Sequence, residues 1–309
     1  DAGKDFGLAM NGIINVLKPP GMTSQNVVSF MRRMSGIKKI GHSGTLDPYA
    51  AGVLPIFIGK ATRLVEYAMQ GQKEYIGEIY FGLETDTLDS QGKVICRRSG
   101  EITKEHFQSV LESTKGTIYQ RPPMYSALKK DGRKLVDLAR KGKNVDIPER
   151  PVEIYETEFL EQTETNRFLF RVRCSKGTYI RTLCQDWGKM LGTVAHLSFL
   201  LRTQTGGFRI EESVTLEEIE HAFQIGAVHA ILQPMESGCI EMERIYLSRM
   251  AKRAVLCGQP IDPAWIQEMP ETYERPCQLW VNDIFMGIAK RTQTGVQTVK
   301  VIWEEPCNE

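Results

Sequence analysis

The sequence predicts a mixed α/β (α+β) protein of about two domains, a strand-and-helix body followed by a small strand-rich unit. Three observations carry this. Apolar residues spaced as in strands and as in helices follow one another from Gly12 to about Gln224. Residues 232–238, LQPMESG, then read as a linker. Past it, one helical pattern precedes short strand patterns at 277–282, 284–289 and 296–303, which together suggest a separate β domain. With 309 residues and 41% apolar side chains, the chain has ample material for a core.

Each element has its own signal. Residues 12–18 form a short apolar strand pattern ended by Pro19, Pro20 and Gly21. Ser24 then caps a helix in which Val27, Val28, Met31 and Met34 keep helical spacing. Arg32 and Arg33 sit near its C-terminal end, where cations suit the helix dipole, and Gly36 stops it. A glycine-rich loop follows, then an apolar strand over 53–58 and a helix over 60–69. Tyr75, Gly77, Ile79 and Phe81 alternate with Ile76, Glu78, Tyr80 and Gly82, the period of a strand. Thr103 starts a helix carrying Phe107, Val110 and Leu111, after which a proline-marked segment, YQRPPMYSALKKDGRKLVDLARKGKNVDIPERP, interrupts the rhythm. Phe168, Phe170, Val172 and Cys174 define a further strand, and Ile180, Leu183, Cys184, Trp187 and Leu191 a helix ending before Gly192. Thr215 with Glu218 makes a capping box, and Val214 with Ile219 a hydrophobic staple. A last helix over 248–257 is stopped by Gly258.

Composition narrows the function. No window approaches the roughly 20 apolar residues of a membrane span, and the N-terminus lacks a basic-then-apolar signal pattern, so a cytoplasmic protein is expected. Residues 1–10 read as a tag remnant or loose extension before a natural start at MNGIINVLKPPG. The seven cysteines form no CxxC pair and the five histidines no HxxxH spacing, so neither a disulfide framework nor a metal site is expected. A formal net charge of +1 hides two basic tracts. Residues 26–63 hold six Lys or Arg against the single acid Asp47, and residues 129–150 hold eight against four acids. Such tracts can neutralise phosphates in an otherwise neutral chain, although solvated helix faces produce similar runs.

The stretch GHSGTLDPYAAGVLPI, residues 41–56, concentrates the chemistry-bearing residues. A serine nucleophile elbow needs G-x-S-x-G between strand and helix, but Thr45 stands where the second glycine belongs and the loop runs into a strand. Neither a phosphate-cradling G-x-x-x-x-G-K-[ST] nor G-x-G-x-x-G occurs in the chain. Asp47 remains, either a turn former before proline or a catalytic carboxylate on a rigid loop. Gly44 and Gly52 would let a bulky ligand approach the backbone.

Together with this stretch, KPPGMTSQNVV, KEYIGEIYFG, RPPMYSALKKDGRKLVDLARKG, CSKGTYIRTLCQDWG and AHLSFLLRTQTGGF resemble, in order and at fitting spacings, the bacterial TruB-type tRNA pseudouridine synthases. The resemblance covers about residues 11–209. It implies the pseudouridine synthase fold, with a largely antiparallel central sheet in a catalytic domain over 11–238. It also implies a thumb inserted at about 120–151 and a PUA-like RNA-binding β domain over 239–309. The implied reaction is the isomerisation of uridine 55 in the T-loop of tRNA, without cofactor or metal. The base must leave its stack, which costs a few kcal/mol. An aromatic platform returns about 1 to 3 kcal/mol per stacked base.

Residue by residue, the resemblance makes Asp47 the catalytic aspartate, attacking either C1' or C6, and Arg181 its ion-pair partner. An adjacent guanidinium should lower the carboxyl pKa. Tyr75 matches the ring that stacks on the uracil, its phenol a candidate for the C5 proton step. Tyr179 and Leu200 match pocket-lining residues, and His42 a histidine that helps displace the flipped base. Lys18 and Arg202 match basic positions around the site, with a structural or RNA-contact role. Lys129, Lys130, Arg133, Arg140 and Lys141 belong to the thumb, whose excess of four positive charges over residues 129–150 suits clamping a T-arm. The implied partner is the T-stem-loop of tRNA, and a monomer is expected. Relatives that work with a guide RNA generally lack this thumb, so the enzyme is expected to stand alone. A noncatalytic tRNA-folding chaperone is the alternative from another class. The intact set of Asp47, Tyr75 and Arg181 argues against it.

Overall fold

A computed structural model describes residues 10–123, 126, 129–130, 133–134 and 147–303. Arg140, Lys141 and residues 1–9 lie outside these, and Lys129, Lys130 and Arg133 are described only as strand backbone. The first strands are β1 (Gly12–Lys18), β2 (Ile40–His42), β3 (Ala51–Ile58), β4 (Lys73–Phe81), the hairpin β5 (Leu83–Thr85) and β6 (Val94–Arg97), and β7 (Gly116–Gln120). A two-residue-per-arm hairpin, β8 (Lys129–Lys130) and β9 (Arg133–Lys134), precedes β10 (Arg150–Glu164), β11 (Arg167–Cys174), β12 (Ala195–Thr205) and β13 (Phe208–Arg209).

Nine of these make one sheet in the order β1-β3-β12-β4-β11-β10-β7, with β2 beside β3 and β13 beside β12. Every pairing is antiparallel except β3 with β12, so the largely antiparallel sheet expected from the resemblance is present. The alternation read in the sequence places Lys73, Tyr75, Gly77, Ile79 and Phe81 on the buried face of β4. Against that sheet the helix Ile180–Met190 buries Trp187, whose ring meets Phe170 edge-on at 4.9 Å and whose indole N–H donates to Thr114 at 2.9 Å. On the other half of the sheet, β1 and β3 pack with the helix Ser24–Ser35 and with Ile219 of the helix Leu216–Gln224. The capping box at Thr215 and Glu218 forms as expected.

Several elements differ from the sequence reading, each for a physical reason. Thr23, not Ser24, caps the first helix, accepting from the Asn26 amide, while Ser24 is buried and engaged elsewhere. Residues 60–69 form a 3-10 turn, Gly59–Leu64, and a single helical turn, Val65–Ala68. The last helix likewise divides into a 3-10 turn Arg249–Ala251 and the helix Lys252–Cys257, closed by left-handed Gly258. Strand β12, in the middle of the sheet, carried no strand signal. Two register shifts, at Leu197/Phe199 and Arg202/Gln204, break its period of two.

The C-terminal sheet runs β15-β14-β16-β17-β18, from β14 (Arg244–Leu247), β15 (Ile266–Glu268), β16 (Pro276–Val281), β17 (Ile284–Thr292) and β18 (Gly295–Val301). Asn282 and Asp283, both with positive φ, make the tight turn between β16 and β17. Residues 232–238 are not a free linker. Gln233 exchanges two backbone hydrogen bonds with Ile13 at 2.9 and 2.7 Å, and Gly238 is buried against the Phe57 ring. Phe285, Ile288 and Ile302 share one apolar core with Ile13, Phe57, Leu64 and Phe208, which ties this sheet to the main one.

Candidate active site

The loop between β2 and β3 is pinned on both sides of Asp47. Ser24 Oγ donates to the Leu46 carbonyl at 3.0 Å and accepts from the Leu46 amide at 2.9 Å. On the other side, the Gly21 amide donates to the Pro48 carbonyl at 2.7 Å, and Lys18 Nζ reaches the carbonyls of Pro19, Met22 and Pro48 at 2.8, 2.6 and 3.3 Å. A carboxylate mounted this way keeps its position without help from a ligand.

Arg181 rises from the first turn of the helix Ile180–Met190 and is buried. Its Nη2 lies 3.0 Å from Asp47 Oδ2, and its Nη1 lies 3.7 Å from Asp89 Oδ2 and donates to the Thr87 carbonyl at 3.2 Å. Asp89 is itself held by the Thr87 hydroxyl at 2.6 Å and the Gln91 amide at 3.0 Å. One guanidinium therefore bridges two carboxylates, Asp89 fully enclosed and Asp47 about one third accessible at 32%. Burial raises the Asp47 carboxyl above its usual range, and the opposing pull of Arg181 does not reverse this. The lowering expected from the ion pair alone is thus overturned by desolvation.

Asp47, Tyr75, Tyr179, Arg181 and Leu200 line one pocket, although they come from four separate stretches of chain. It opens into a cleft of about 720 Å³ that also receives Arg202, Lys73, Arg150 and Lys176. Tyr75 on β4 stands opposite Arg202 on β12 in register, and Leu200 opposite Gly77. Burial pushes the Tyr75 hydroxyl up to about 12, and Arg202 hydrogen-bonds it. Tyr179 caps the helix start and exchanges hydrogen bonds with the Gln120 side chain at 3.0 and 3.3 Å. His42, at the end of β2, lines a second cleft that meets the first at Thr45, Asp47 and Arg181. Burial lowers its pKa, so the ring is neutral, and its buried Nδ1 has no hydrogen-bond partner.

Lys18 and Arg202 were expected among basic positions with a structural or RNA-contact role, and the structure turns both inward. Lys18 is 0% exposed and spends its ammonium on three carbonyls, with burial lowering its pKa to about 8. Arg202 is 1% exposed, donating to the Val53 carbonyl at 2.8 Å and the Gly44 carbonyl at 3.2 Å. Gly52 also has a different reason from the one expected. A Cβ there would lie 2.2 Å from the Arg202 carbonyl oxygen, so the glycine lets β3 and β12 meet and makes no room for a ligand. Gly44 does lie beside the open cleft. Asp89 carries no signal in the sequence, and Ser24 reads there only as a helix cap, because nothing in the spacing of either marks a residue that positions Asp47 or Arg181. Among the described residues no cluster of His, Cys, Asp and Glu could hold a metal ion, and no helix is long and apolar enough to cross a membrane.

An antiparallel sheet that brings an aspartate, a buried arginine and a tyrosine ring to one cleft defines the class of protein. Residues 32–180 match the family model for the TruB family pseudouridylate synthase N-terminal domain, and residues 181–239 that for the tRNA pseudouridylate synthase B C-terminal domain. A tRNA pseudouridine synthase B of Caldanaerobacter subterraneus subsp. tengcongensis is 46% identical over 255 residues, covering 82% of this chain and 86% of that protein. One from Geobacillus thermodenitrificans is 43% identical, covering 84% and 89%. Among solved structures, a Cbf5-Nop10-Gar1 complex aligns with a TM-score of 0.77 at 28% identity over 94% of this chain and 85% of the other. An H/ACA RNP bound to a substrate RNA containing 2'-deoxyuridine aligns at 0.76 and 26% over 95% and 85%. The chain belongs to the TruB family of pseudouridylate synthases.

Proposed function

We propose that this chain isomerises uridine 55 in the T-loop of tRNA to pseudouridine, acting alone, with Asp47 as the nucleophile. The observation that carries this reading is the Asp47 carboxylate held 3.0 Å from a buried guanidinium in the pocket that also receives Tyr75. The reaction breaks the N1 to C1' bond, turns the uracil, forms the C5 to C1' bond and removes the C5 proton while N1 takes up one proton, directly or through solvent, so no atom is gained or lost. Asp47 serves as the anion that attacks at C1' or C6 and later departs. Arg181 holds the carboxylate in place and balances its charge.

Tyr75 provides the platform for the flipped base, returning about 1 to 3 kcal/mol of the extrusion cost. Its neutral phenol is a poor base. With a pKa of about 12, giving up its own proton near neutral pH would cost about 7 kcal/mol. Neutral His42 stands beside the second cleft, where it can take the space that the flipped base leaves. The basic thumb segment, with Lys129, Lys130, Arg133, Arg140 and Lys141, is assigned to phosphates of the T-arm and supports action without a guide RNA. RNA contact is also proposed for the C-terminal sheet, supported by Arg244 over Trp280 at 5.6 Å and Arg291 over Tyr273 at 4.3 Å. The test is incubation of an unmodified tRNA transcript with the purified protein alone. Pseudouridine at one T-loop uridine is expected, and no conversion until a guide RNA or second protein is added would refute the stand-alone reading.

A further inference from the structure

We propose that Lys73 and Arg202 form a phosphate-binding site beside Asp47 that grips the RNA backbone at the target nucleotide. The proposal rests on the RNA-isomerising reading above and adds the group that anchors the substrate next to the reacting base. Lys73 lies two residues before Tyr75 on the buried face of β4, and Arg202 faces Tyr75 from β12. Both are enclosed, at 8% and 1% exposure, yet both line the cleft. They converge on one point. A Cβ built on Gly44 would lie 3.9 Å from Arg202 Nη1 and 4.0 Å from Lys73 Cε, with nothing else within 4 Å.

Two buried cations side by side repel each other, and among the described residues neither has a carboxylate at ion-pair distance. The nearby Asp47 is already taken by Arg181. Lys73 Nζ donates to the Met69 and Gly71 carbonyls at 3.4 and 3.0 Å, which leaves the third ammonium hydrogen unassigned. Arg202 gives its Nε and Nη2 to Val53 and Gly44 and also meets the Tyr75 hydroxyl, and its Nη1 lies beside Gly44 at the cleft. Burial first, with the Arg202 charge adding to it and the Glu241 carboxylate opposing it, draws the Lys73 pKa down to about 8. A phosphodiester entering beside Gly44 supplies an anion within one nucleotide of the Tyr75 ring. Arg150 and Lys176 on the cleft walls extend the positive field outward.

Binding of a T-stem-loop RNA to the Asp47→Asn protein, its Lys73→Gln and Lys73→Arg derivatives, and the wild type tests this. Lys73→Gln is expected to weaken binding about tenfold near 50 mM KCl and to lower the slope of log Kd against log salt by about 0.7 to 0.9, while Lys73→Arg keeps both. A neutral methylphosphonate at a linkage flanking the target uridine should cost the parent about as much, and Lys73→Gln nothing more. Unchanged affinity and slope in Lys73→Gln would overturn the site. So would a wild-type protein that tolerates methylphosphonate at every flanking linkage, a result independent of whether any variant folds. If the stem-loop fails to bind even the wild type, the RNA-substrate reading itself falls.

Discussion

Replacing Arg181 by methionine removes the charge that bridges Asp47 and Asp89 while keeping apolar bulk in the helix. At 3.0 and 3.7 Å the two attractions are each about 5 kcal/mol at an effective dielectric of 20, before desolvation is counted. Asp47 is one third accessible, so its share is screened, and the enclosed Asp89 dominates the stability cost. Breaking a buried pair leaves a net loss of about 3 kcal/mol, seen as a lower urea midpoint. The Asp47 carboxyl, already raised by burial, then faces Asp89 without a counter-charge and rises further. A loss of 1.4 to 3 kcal/mol of pairing moves its titration up by about one to two pH units. A group whose folded pKa is raised contributes stability at low pH that is lost as pH climbs through that pKa. The stability gap between wild type and Arg181→Met should therefore narrow toward acid. The assay is single-turnover conversion of a tRNA transcript at saturating enzyme across pH 5 to 9. The acid limb should move upward in the variant; an unmoved limb with only weaker RNA binding would refute the ion-pair role.

Ser24→Ala leaves the enclosed Leu46 amide and carbonyl without their shared partner, a cost of about 1 to 3 kcal/mol. The turnover rate should fall at least tenfold with RNA affinity held, whereas a parallel loss of affinity would place Ser24 in binding. Gly52→Ala puts a methyl 2.2 Å from the Arg202 carbonyl at a φ of +118°, and thermal unfolding should show a loss of more than about 3 kcal/mol or no soluble protein. Tyr75→Phe keeps the stacking ring and loses only the Arg202 hydrogen bond, about 1 kcal/mol, so conversion within tenfold of wild type is expected. Complete loss in that variant would make the phenol an essential proton carrier.

Much of the sheet was legible because half-buried strands carry their own period. Tyr75 to Phe81 alternates cleanly, as do the apolar positions of β11, and the box at Thr215 and Glu218 fixes a helix start by local hydrogen bonds alone. β12 was hidden because two register shifts break its alternation. At Lys18 and Arg202 the sequence left a structural and an RNA-contact role open. Sequence shows a cation but not the carbonyls that satisfy it in the interior. The pocket residues Asp47, Tyr75, Tyr179, Arg181 and Leu200 were named through family resemblance, and the fold brings them together. Asp89 carried no signal in the sequence and Ser24 read only as a helix cap, because their hold on Arg181 and on the Leu46 backbone exists only in the folded chain. The raised Asp47 carboxyl could not be read from sequence either, since it follows from how deeply the loop is enclosed.

The most direct measurement is pseudouridine mapping of one unmodified tRNA transcript after exposure to excess wild-type protein and, separately, to excess Asp47→Asn. Complete conversion of a single T-loop uridine is expected with the wild type, and none with the variant, which should still bind the transcript. Full conversion by Asp47→Asn would contradict the central claim that this carboxylate performs the chemistry.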